Sequence, residues 1–425
     1  MATIANNMHE YLLDNGFKLL IKEDHRSPIA IFQIFYKVGS SYEYNGITGI
    51  SHVLEHMMFR GTQSYDTDKF SQKISAYGGQ QNARTGHDYT TYYQIMPSDK
   101  LAYCFKFEAD RMHNLLLNKK TFSQEMQIVM EERCMRIEDN PKHYTYERFC
   151  AIAYLSNPYR HPIIGWMNDL ENMTIQDVNK WYQTWYIPNN AIGVIVGDVI
   201  PHQIYPLVKK YFGSLHPSIL PPLKPQHEIT PKGIRTVVVN IPAKLPWLIV
   251  GFNTPVVSTV DEKWEAYALL ILCEILAGGR SARLQQNLVR GKQSAIEISY
   301  DYSPFTRMNT ILALFTTPAE GFTTAELRDD ILNEIDQIQN QLPYPRELER
   351  VKTQIIANKI YEEDSIDNQA HKIGNFEAIG LSWQDMENTY KEIAAITPEQ
   401  VQKVACKYLT LDRLTLAILE PLPID

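Results

Sequence analysis

Two histidines and a glutamate stand close together in the segment His52-Val53-Leu54-Glu55-His56. On an α-helix, positions i and i+4 lie on one face, so both imidazoles can reach one ion. Glu55 lies on the same side, where it can touch a water on that ion. The flanking residues are apolar, so the helix is expected to be buried, where polar groups without partners are costly. The pattern predicts zinc held by His52 and His56 with Glu55 as the catalytic base; a core helix that merely carries two histidines is the alternative.

A catalytic zinc site needs a third protein ligand, and the best place for it is the acidic stretch that begins at Thr121. Thr121 with Gln124 resembles a capping box, and apolar residues follow at helical spacing. Glu125 and Glu132 stand seven residues apart, nearly two turns, so they share a face. Glu131 lies beside that face. Residue types alone leave all three carboxylates open as the ligand.

Three separated motifs resemble one peptidase family. They are GISHVLEHMMFRGT, then GGQQNARTGHDYTTYY, then the pair Glu125 and Glu132, in this order. Together they resemble the pitrilysin/insulinase family of zinc peptidases, which carry the inverted His-x-x-Glu-His motif. The resemblance covers nearly the whole chain. It implies that Glu132, 76 residues after His56, is the third zinc ligand and that Glu125 supports the site from behind.

The resemblance also implies an activity, the hydrolysis of short or unfolded peptides by a zinc metalloendopeptidase with one zinc ion in the chain. It implies further that Asn82 and Ala83 lie on an edge strand to which an extended substrate adds as another strand. An ordinary strand pair is the alternative for this segment. His87 fits a surface turn better than a ligand position, and the neighbouring tyrosines fit core packing.

The elements that must position these residues occur twice. Residues 174–196 and 397–419, which start 223 residues apart, each begin with a Thr cap, continue as an amphipathic helix and end in an apolar strand. Earlier in each half, two β-rich runs precede a helix that ends at a Gly-containing turn. The repeat predicts an α+β fold of two homologous domains, each a mostly antiparallel sheet packed with helices. By resemblance, the two would form half of a clamshell.

A proline-rich stretch separates the two repeats. Residues 214–233 contain five prolines and little apolar periodicity, which predicts an extended linker. The predicted organisation is a catalytic zinc domain at 1–215, a linker at 216–233 and a homologous domain at 234–425. A chain of 425 residues fits two domains better than one core.

The second half lacks the metal motif. Matching the two Gly turns places Leu269, Leu272 and Cys273 at the positions of the two histidines and the catalytic glutamate. An apolar helix of this kind has no acid–base chemistry. The second domain is therefore expected to wall the substrate chamber without forming a second active site.

Active members of the family also place an Arg and a Tyr, seven positions apart, in a second-half domain, where they hold the substrate carbonyl. One register puts Val289 and Ile296 at these positions, and a register that starts from Arg290 puts Glu297 at the Tyr position. We therefore expect a heterodimer with a homologous subunit that carries the Arg and Tyr. The other arrangement is a homodimer in which Arg290 or a nearby tyrosine compensates. A non-catalytic peptide-binding or structural subunit of the same family is the alternative function.

Composition excludes several other classes. A formal charge of −8 argues against nucleic acid and anionic membranes as partners, and the apolar runs are too short to cross a bilayer. Five cysteines without a Cys-x-x-Cys pair predict neither disulfides nor a thiolate zinc site, but small buried side chains. The opening MATIANNMHEYLLDNG lacks the pattern of a secretion signal. The compartment stays open: cytoplasmic for the sequence as it stands, periplasmic if a signal peptide has been removed.

Overall fold

Two mixed β-sheets, each covered by helices, organise the computed structural model, which describes residues 3–5, 7–224 and 226–424. The chain divides into two compact units. Unit 1 combines the chain before Arg133 with His161–Lys224 and Ile360–Met386. Unit 2 combines Arg133–Arg160 with the chain between Lys224 and Ile360 and with the chain from Glu387 onward. Each unit is therefore assembled from both halves of the sequence.

The sheet of unit 1 has seven strands. They are β1 (Thr3–Ala5), β2 (Met8–Leu12), β3 (Lys18–Glu23), β4 (Ile29–Tyr36), β5 (Gln80–Thr85), β6 (Thr90–Pro97) and β7 (Ala191–Gly197). Their order is β1-β2-β3-β7-β4-β6-β5, with β3 and β7 parallel and the other neighbours antiparallel. Strands β4 and β7 are almost wholly buried, as expected of nearly continuous apolar runs covered on both faces.

The sheet of unit 2 repeats the core of this topology. Its strands are β8 (Arg235–Pro242), β9 (Trp247–Thr254), β10 (Ala295–Asp301), β11 (Thr310–Pro318) and β12 (Leu414–Leu422), in the order β10-β11-β9-β12-β8. The parallel pair β8 and β12 matches β3 and β7, and the other pairs are antiparallel. Five strands thus follow the same order in both units. The predicted duplicated α+β fold with mostly antiparallel sheets is confirmed.

Fourteen α-helices surround the sheets in the described chain. They are α1 (Ile50–Met57), α2 (Lys69–Ala76), α3 (Leu101–His113), α4 (Lys119–Arg133), α5 (Pro141–Ala153), α6 (Met167–Asn172), α7 (Ile175–Trp185), α8 (Pro201–Phe212), α9 (Trp264–Ala277), α10 (Thr324–Asn340), α11 (Pro345–Glu362), α12 (Ile366–Ala378), α13 (Trp383–Ala395) and α14 (Pro398–Tyr408). Over the described residues, no helix has the length and apolarity that a membrane span requires.

Each sheet is covered by a helix from the other half of the sequence. Helix α12 packs on β4 and β7 in unit 1, and α5 packs on β8, β9 and β12 in unit 2. The contact is close enough to need a glycine in both units. A Cβ on Gly374 of α12 would lie 2.0 Å from the ring of Phe35, and a Cβ on Gly251 of β9 would lie 2.4 Å from the ring of Phe149 on α5.

The predicted division into domains at 1–215 and 234–425 with a linker at 216–233 stays a prediction. Over its described residues, the stretch 216–233 contains no helix or strand. The part of this stretch that follows Lys224 is anchored within unit 2. The carboxylate of Glu228 accepts hydrogen bonds from three consecutive backbone N–H groups, at 2.9 Å from Leu155, 3.2 Å from Ser156 and 2.9 Å from Asn157.

Two of the three capping boxes predicted from the sequence are present in the structure. Thr174 and Thr397 both form capping boxes at the starts of α7 and α14, as the repeat predicts. The predicted capping box of Thr121 and Gln124 is wrong. Helix α4 begins two residues earlier, and the side chain of Asn118 accepts from the backbone N–H of Thr121 at 2.9 Å. An Asn before the first turn caps as well as Thr does.

None of the five cysteines in the described chain forms a disulfide, as predicted. Cys104 and Cys273 are buried, but Cys406 is exposed. The expectation of uniformly buried thiols is therefore only partly correct.

Candidate metal centre

Helix α1 presents the three polar residues of the first motif on one side. Its apolar residues Val53, Leu54 and Met57 are buried, whereas His52, Glu55 and His56 remain partly accessible. The helix packs against α7 on one side and β5 on the other. The amphipathic spacing thus fixes one face in the core of unit 1 and leaves His52, Glu55 and His56 on the more accessible face.

Two buried carboxylates hold the start of α1. Glu43 accepts from the backbone N–H of Gly49 at 2.7 Å and of Ser51 at 2.9 Å. Asp169 accepts from the hydroxyl of Thr48 at 2.6 Å and from two backbone N–H groups of the same loop. Negative side chains suit the positive end of a helix. Sequence analysis missed both residues; Asp169 lies more than a hundred positions from the helix it anchors.

Gly49 explains the sharp entry into α1. Its φ of 88° lies in the left-handed region, and a Cβ there would meet the carbonyl oxygen of Ile164 at 2.5 Å. Only glycine can adopt this φ and fit this close to the Ile164 carbonyl without strain. The loop of residues 43–49 and the helix are therefore fixed together.

His52, His56 and Glu132 come together in unit 1. A carboxylate oxygen of Glu132 lies 3.4 Å from Nε2 of His56 and 3.7 Å from Nε2 of His52. One ligand atom from each residue lies within 4.8 Å of the other two, and among the described residues no other His, Cys, Asp and Glu side chains form such a group. Their role as ligands stays a prediction, but the sequence motif and the distant glutamate do converge.

The spacing of these atoms fits zinc. Ligands at about 2.0–2.2 Å in a tetrahedron lie roughly 3.3–3.6 Å from one another. The distances of 3.4 and 3.7 Å from Glu132 to the two imidazoles are close to this range. Two nitrogen donors and one carboxylate leave the fourth position open, as catalytic zinc sites require. The donor set and its geometry therefore suit a catalytic zinc ion.

Glu125 lies behind His56, where the resemblance placed a supporting acid. One of its oxygens is 3.4 Å from Nδ1 of His56, and the other is 2.7 Å from Nε of Arg60. Its side chain is only 3% exposed. A carboxylate on the ring nitrogen that faces away from a metal orients the imidazole and fixes its tautomer. Arg60, which sequence analysis did not single out, supplies a counter-charge for this buried acid.

The remaining acid of α4 is separated from the site. Glu131 is exposed, as expected of a residue beside the functional face. Directly after α4 the chain turns into a π-helical segment, Cys134–Glu138. Such segments are rare and often occur next to functional residues. The π-helical segment begins two positions after Glu132.

Glu55 is hydrogen-bonded to the end of an edge strand. The hydroxyl of Thr85, the last residue of β5, donates to Oε2 of Glu55 at 2.5 Å. Strand β5 pairs with β6 and is the last strand of its sheet in the described chain. Asn82 and Ala83 lie on this edge strand, where the resemblance placed them. Their binding of substrate stays a prediction.

His87 lies in the turn between β5 and β6, where it is partly buried and not fully exposed. Its Nδ1 is 2.7 Å from the hydroxyl of Ser40, and burial lowers its pKa from the usual value. Among the tyrosines of this hairpin, Tyr92 is fully buried and shares a hydrogen bond of 2.9 Å with Tyr186. Tyr89 and Tyr93 are partly buried against the core. Core packing, the role expected of these rings, agrees with their surroundings.

In unit 2, the positions that match the metal motif are apolar and closed. Leu269, Leu272 and Cys273 on α9 are 0% exposed. The two nearby tyrosines are engaged elsewhere: Tyr300 donates to Glu274 at 2.7 Å, and Tyr302 donates to the backbone carbonyl of Pro255 at 2.8 Å. Both hydroxyls therefore already have hydrogen-bond partners within unit 2.

Family profiles match both halves of the chain. The profile of insulinase (peptidase family M16) matches residues 18–166, and that of the peptidase M16 inactive domain matches residues 172–355. The chain belongs to the M16 peptidase family. Within M16, the metal motif falls in the first profile and the apolar α9 in the second, in agreement with the asymmetry of the two units.

Several M16 proteins resemble this chain along most of its length. The zinc protease PqqE of Helicobacter pylori is 27% identical, over 99% of this chain and 96% of that protein. The crystal structure of a protease from Helicobacter pylori superposes with a TM-score of 0.92 and 26% identity, covering 98% of this chain and 100% of the other. The periplasmic protease PqqL from Escherichia coli has the same fold, with a TM-score of 0.80 at 17% identity; this chain covers 48% of it.

Proposed function

We propose that this chain is a zinc metallopeptidase that hydrolyses peptide bonds in short or unfolded peptides. The observation that carries the proposal is the convergence of His52, His56 and Glu132 with their ligand atoms within 4.8 Å of one another. Relatives of similar length are named zinc proteases, which supports the same chemistry. The expected stoichiometry is one zinc ion per chain.

The chemistry divides among a few side chains. A zinc ion held by the two imidazoles and Glu132 would make its bound water acidic near neutral pH and polarise the scissile carbonyl. Glu55, on the same helix face, takes the proton of the attacking water and later passes it to the leaving amine. Glu125 keeps the ring of His56 oriented. This division of roles requires no covalent intermediate.

The substrate would bind along β5. The free edge of that strand offers backbone N–H and C=O groups to an extended peptide, and main-chain pairing makes little demand on sequence. Asn82 and Ala83 are the expected contact residues. Only an unfolded or short chain can present an extended strand in this way, so folded proteins would be poor substrates.

We further propose that the chain acts as one subunit of a dimer. The engaged hydroxyls of Tyr300 and Tyr302 favour a heterodimer whose homologous partner supplies an Arg and a Tyr. Arg290 is exposed and leaves a compensated homodimer as the second arrangement. Native mass spectrometry of the purified complex distinguishes two equal masses from two different ones.

Zinc analysis and peptide cleavage test the proposal together. The wild-type chain should contain about one equivalent of zinc and cleave a quenched unfolded peptide, alone or with its partner. Glu55→Gln should keep the zinc and lose cleavage. Glu132→Gln should lose zinc, whereas the exposed neighbour Glu131→Gln should lose neither zinc nor activity.

The same experiment identifies the alternative. Zinc at full occupancy with peptide bound but uncut, in every pairing tested, would indicate a peptide-binding subunit. An apolar α9 and a second half that matches the inactive domain are compatible with that outcome. Absence of zinc from the wild-type protein would contradict the proposed function altogether.

A further inference from the structure

One hydrogen bond joins the proposed catalytic base to the edge of the sheet. The hydroxyl of Thr85 donates to Oε2 of Glu55 at 2.5 Å, across thirty positions of sequence. Thr85 shares its strand face with Ala83, which is buried, and with Gln81, which reaches Ser71 on α2. The side chain therefore points to the helices, away from the opposite face.

The end of β5 is held rigidly at this point. The turn of residues 86–88 accepts from the backbone N–H of Ser40 at 3.1 Å and of Ser41 at 2.9 Å. The side chains of the same two serines bond His87 at 2.7 Å and Asp88 at 3.0 Å. The approach is so close that a Cβ on Gly39 would lie 2.3 Å from the carbonyl oxygen of Gly86. The position of Thr85 is thus set by four hydrogen bonds next to it.

The segment that holds the turn also holds the helix of Glu55. Residues 39–42 lead directly into Glu43, whose carboxylate accepts from the first backbone N–H groups of α1. Both partners of the Thr85–Glu55 bond are therefore tied to one short stretch of chain. A glutamate has three rotatable side-chain bonds, and an anchored hydroxyl restricts them to the arrangement that meets it.

We infer that Thr85 is a positioning residue for the proposed peptidase reaction, one that holds the Glu55 carboxylate where it meets the attacking water. The inference rests on the proposed function. Thr85 does not contact the three ligand residues through this bond, so its removal should leave zinc binding unchanged. Because its backbone and not its side chain belongs to the substrate edge, its removal should also leave substrate binding largely unchanged.

Three variants test this inference. Thr85→Val keeps the shape and removes the hydroxyl, Thr85→Ser keeps the hydroxyl, and Thr91→Val is the matched control. The hydroxyl of Thr91 donates to the carbonyl of Ile34 and accepts from Gln33, on the face of the sheet turned away from α1. Thr91→Val therefore removes a hydroxyl from the same hairpin, one more deeply buried than that of Thr85, without touching Glu55.

The expected result separates kcat from KM. Thr85→Val should lower kcat by about 10- to 100-fold, the range in which small misplacements of a catalytic group act, with KM and zinc content near wild type. Thr85→Ser should recover most of that loss, and Thr91→Val should lower thermal stability but not kcat. In metal-free crystals, the Glu55 carboxylate should leave its position in Thr85→Val and keep it in Thr85→Ser.

Two contrary outcomes have distinct meanings. If wild type cleaves peptide and Thr85→Val keeps its kcat and its Glu55 conformation, the inference is wrong and the proposed function stands. The inference is also wrong if Thr85→Ser fails to recover kcat while folding normally, since a hydroxyl then is not what matters. If wild type neither binds zinc nor cleaves, the proposed function fails and the inference fails with it.

Discussion

Glu125 is a buried acid that contacts one of the proposed metal ligands and an arginine. It lies between Nδ1 of His56 at 3.4 Å and Nε of Arg60 at 2.7 Å. The arginine offsets the cost of placing a carboxylate in an interior where it is 3% exposed. The imidazole in turn gains a partner on the nitrogen opposite the proposed zinc.

Glu125→Gln is expected to weaken zinc binding by about 10- to 100-fold, the usual effect of removing such an outer partner. The amide keeps the shape but loses the charge that pairs with Arg60 and orients His56. Competition with a chelator of known affinity measures the change, and Glu131→Gln on the exposed side of α4 is the control. Unchanged affinity in Glu125→Gln would mean that the His56 ring is oriented by other contacts.

For individual residues, the sequence could predict the residue types of the site but not which of several glutamates takes each role. The spacing of His52, Glu55 and His56 defines one helix face by itself. By contrast, Glu125, Glu131 and Glu132 could be ranked only through the family resemblance, since all three lie on one amphipathic helix. The structure separates them by position, with Glu132 at the imidazoles, Glu125 behind one of them and Glu131 exposed.

The start of helix α1 is the element on which the site depends. Glu43 and Asp169 accept five hydrogen bonds from the loop and first turn of this helix. Burial raises the pKa of Glu43 to about 7, and the nearby negative charge of Asp169 acts in the same direction, although the N–H groups of Gly49 and Ser51 oppose it. The helix that carries the proposed ligands is thus anchored by a carboxyl group that titrates near neutral pH.

Stability should therefore fall as pH rises through this window. Between the unfolded pKa of about 4.5 and the folded pKa of about 7, the folded state holds a proton that the unfolded state has released. Raising the pH across that interval should therefore lower the free energy of unfolding by up to about 3 kcal/mol through this group. Glu43→Gln cannot titrate, so its profile should be flatter. Denaturant unfolding of both proteins from pH 5 to 8 measures the difference.

A control and a contrary result complete this test. Glu131→Gln, at an exposed carboxylate, should leave the pH profile of the wild type unchanged. Parallel profiles of wild type and Glu43→Gln would show that Glu43 does not change its protonation on unfolding in this range. The sequence contains no hint of this anchor, because a carboxylate is recognised as a cap only when its partners are known, and Asp169 lies far along the chain.

Each half of the sequence contributes a helix that covers the sheet formed by the other half, which is an exchange of helices between the halves. The repeat of strands and capped helices could be predicted from the sequence, since each repeat has its own periodicity and Thr cap. The exchange could not, because α5 and α12 look like ordinary amphipathic helices wherever they pack. At the contacts between these helices and the sheets, Gly374 lies against Phe35 and Gly251 lies against Phe149.

Gly374→Ala should destabilise the protein by about 1–3 kcal/mol, the cost of overpacking a filled core. An alanine in the middle of a helix normally stabilises it by about 0.5–1 kcal/mol relative to glycine, so the sign itself is diagnostic. The added Cβ would lie 2.0 Å from the ring of Phe35. Chemical denaturation measures the change, and a gain in stability would mean that α12 does not approach the sheet this closely.

The exchange of helices has a consequence for synthesis of the chain. The first sheet is complete once β7 has left the ribosome, but its covering helix α12 is encoded almost 170 residues later. At ordinary translation speeds, about 5–20 residues per second, the apolar face of β4 and β7 waits for roughly ten seconds or more before α12 emerges. During that interval we expect the nascent chain to expose this apolar face to holding chaperones, although the finished protein buries the same surface.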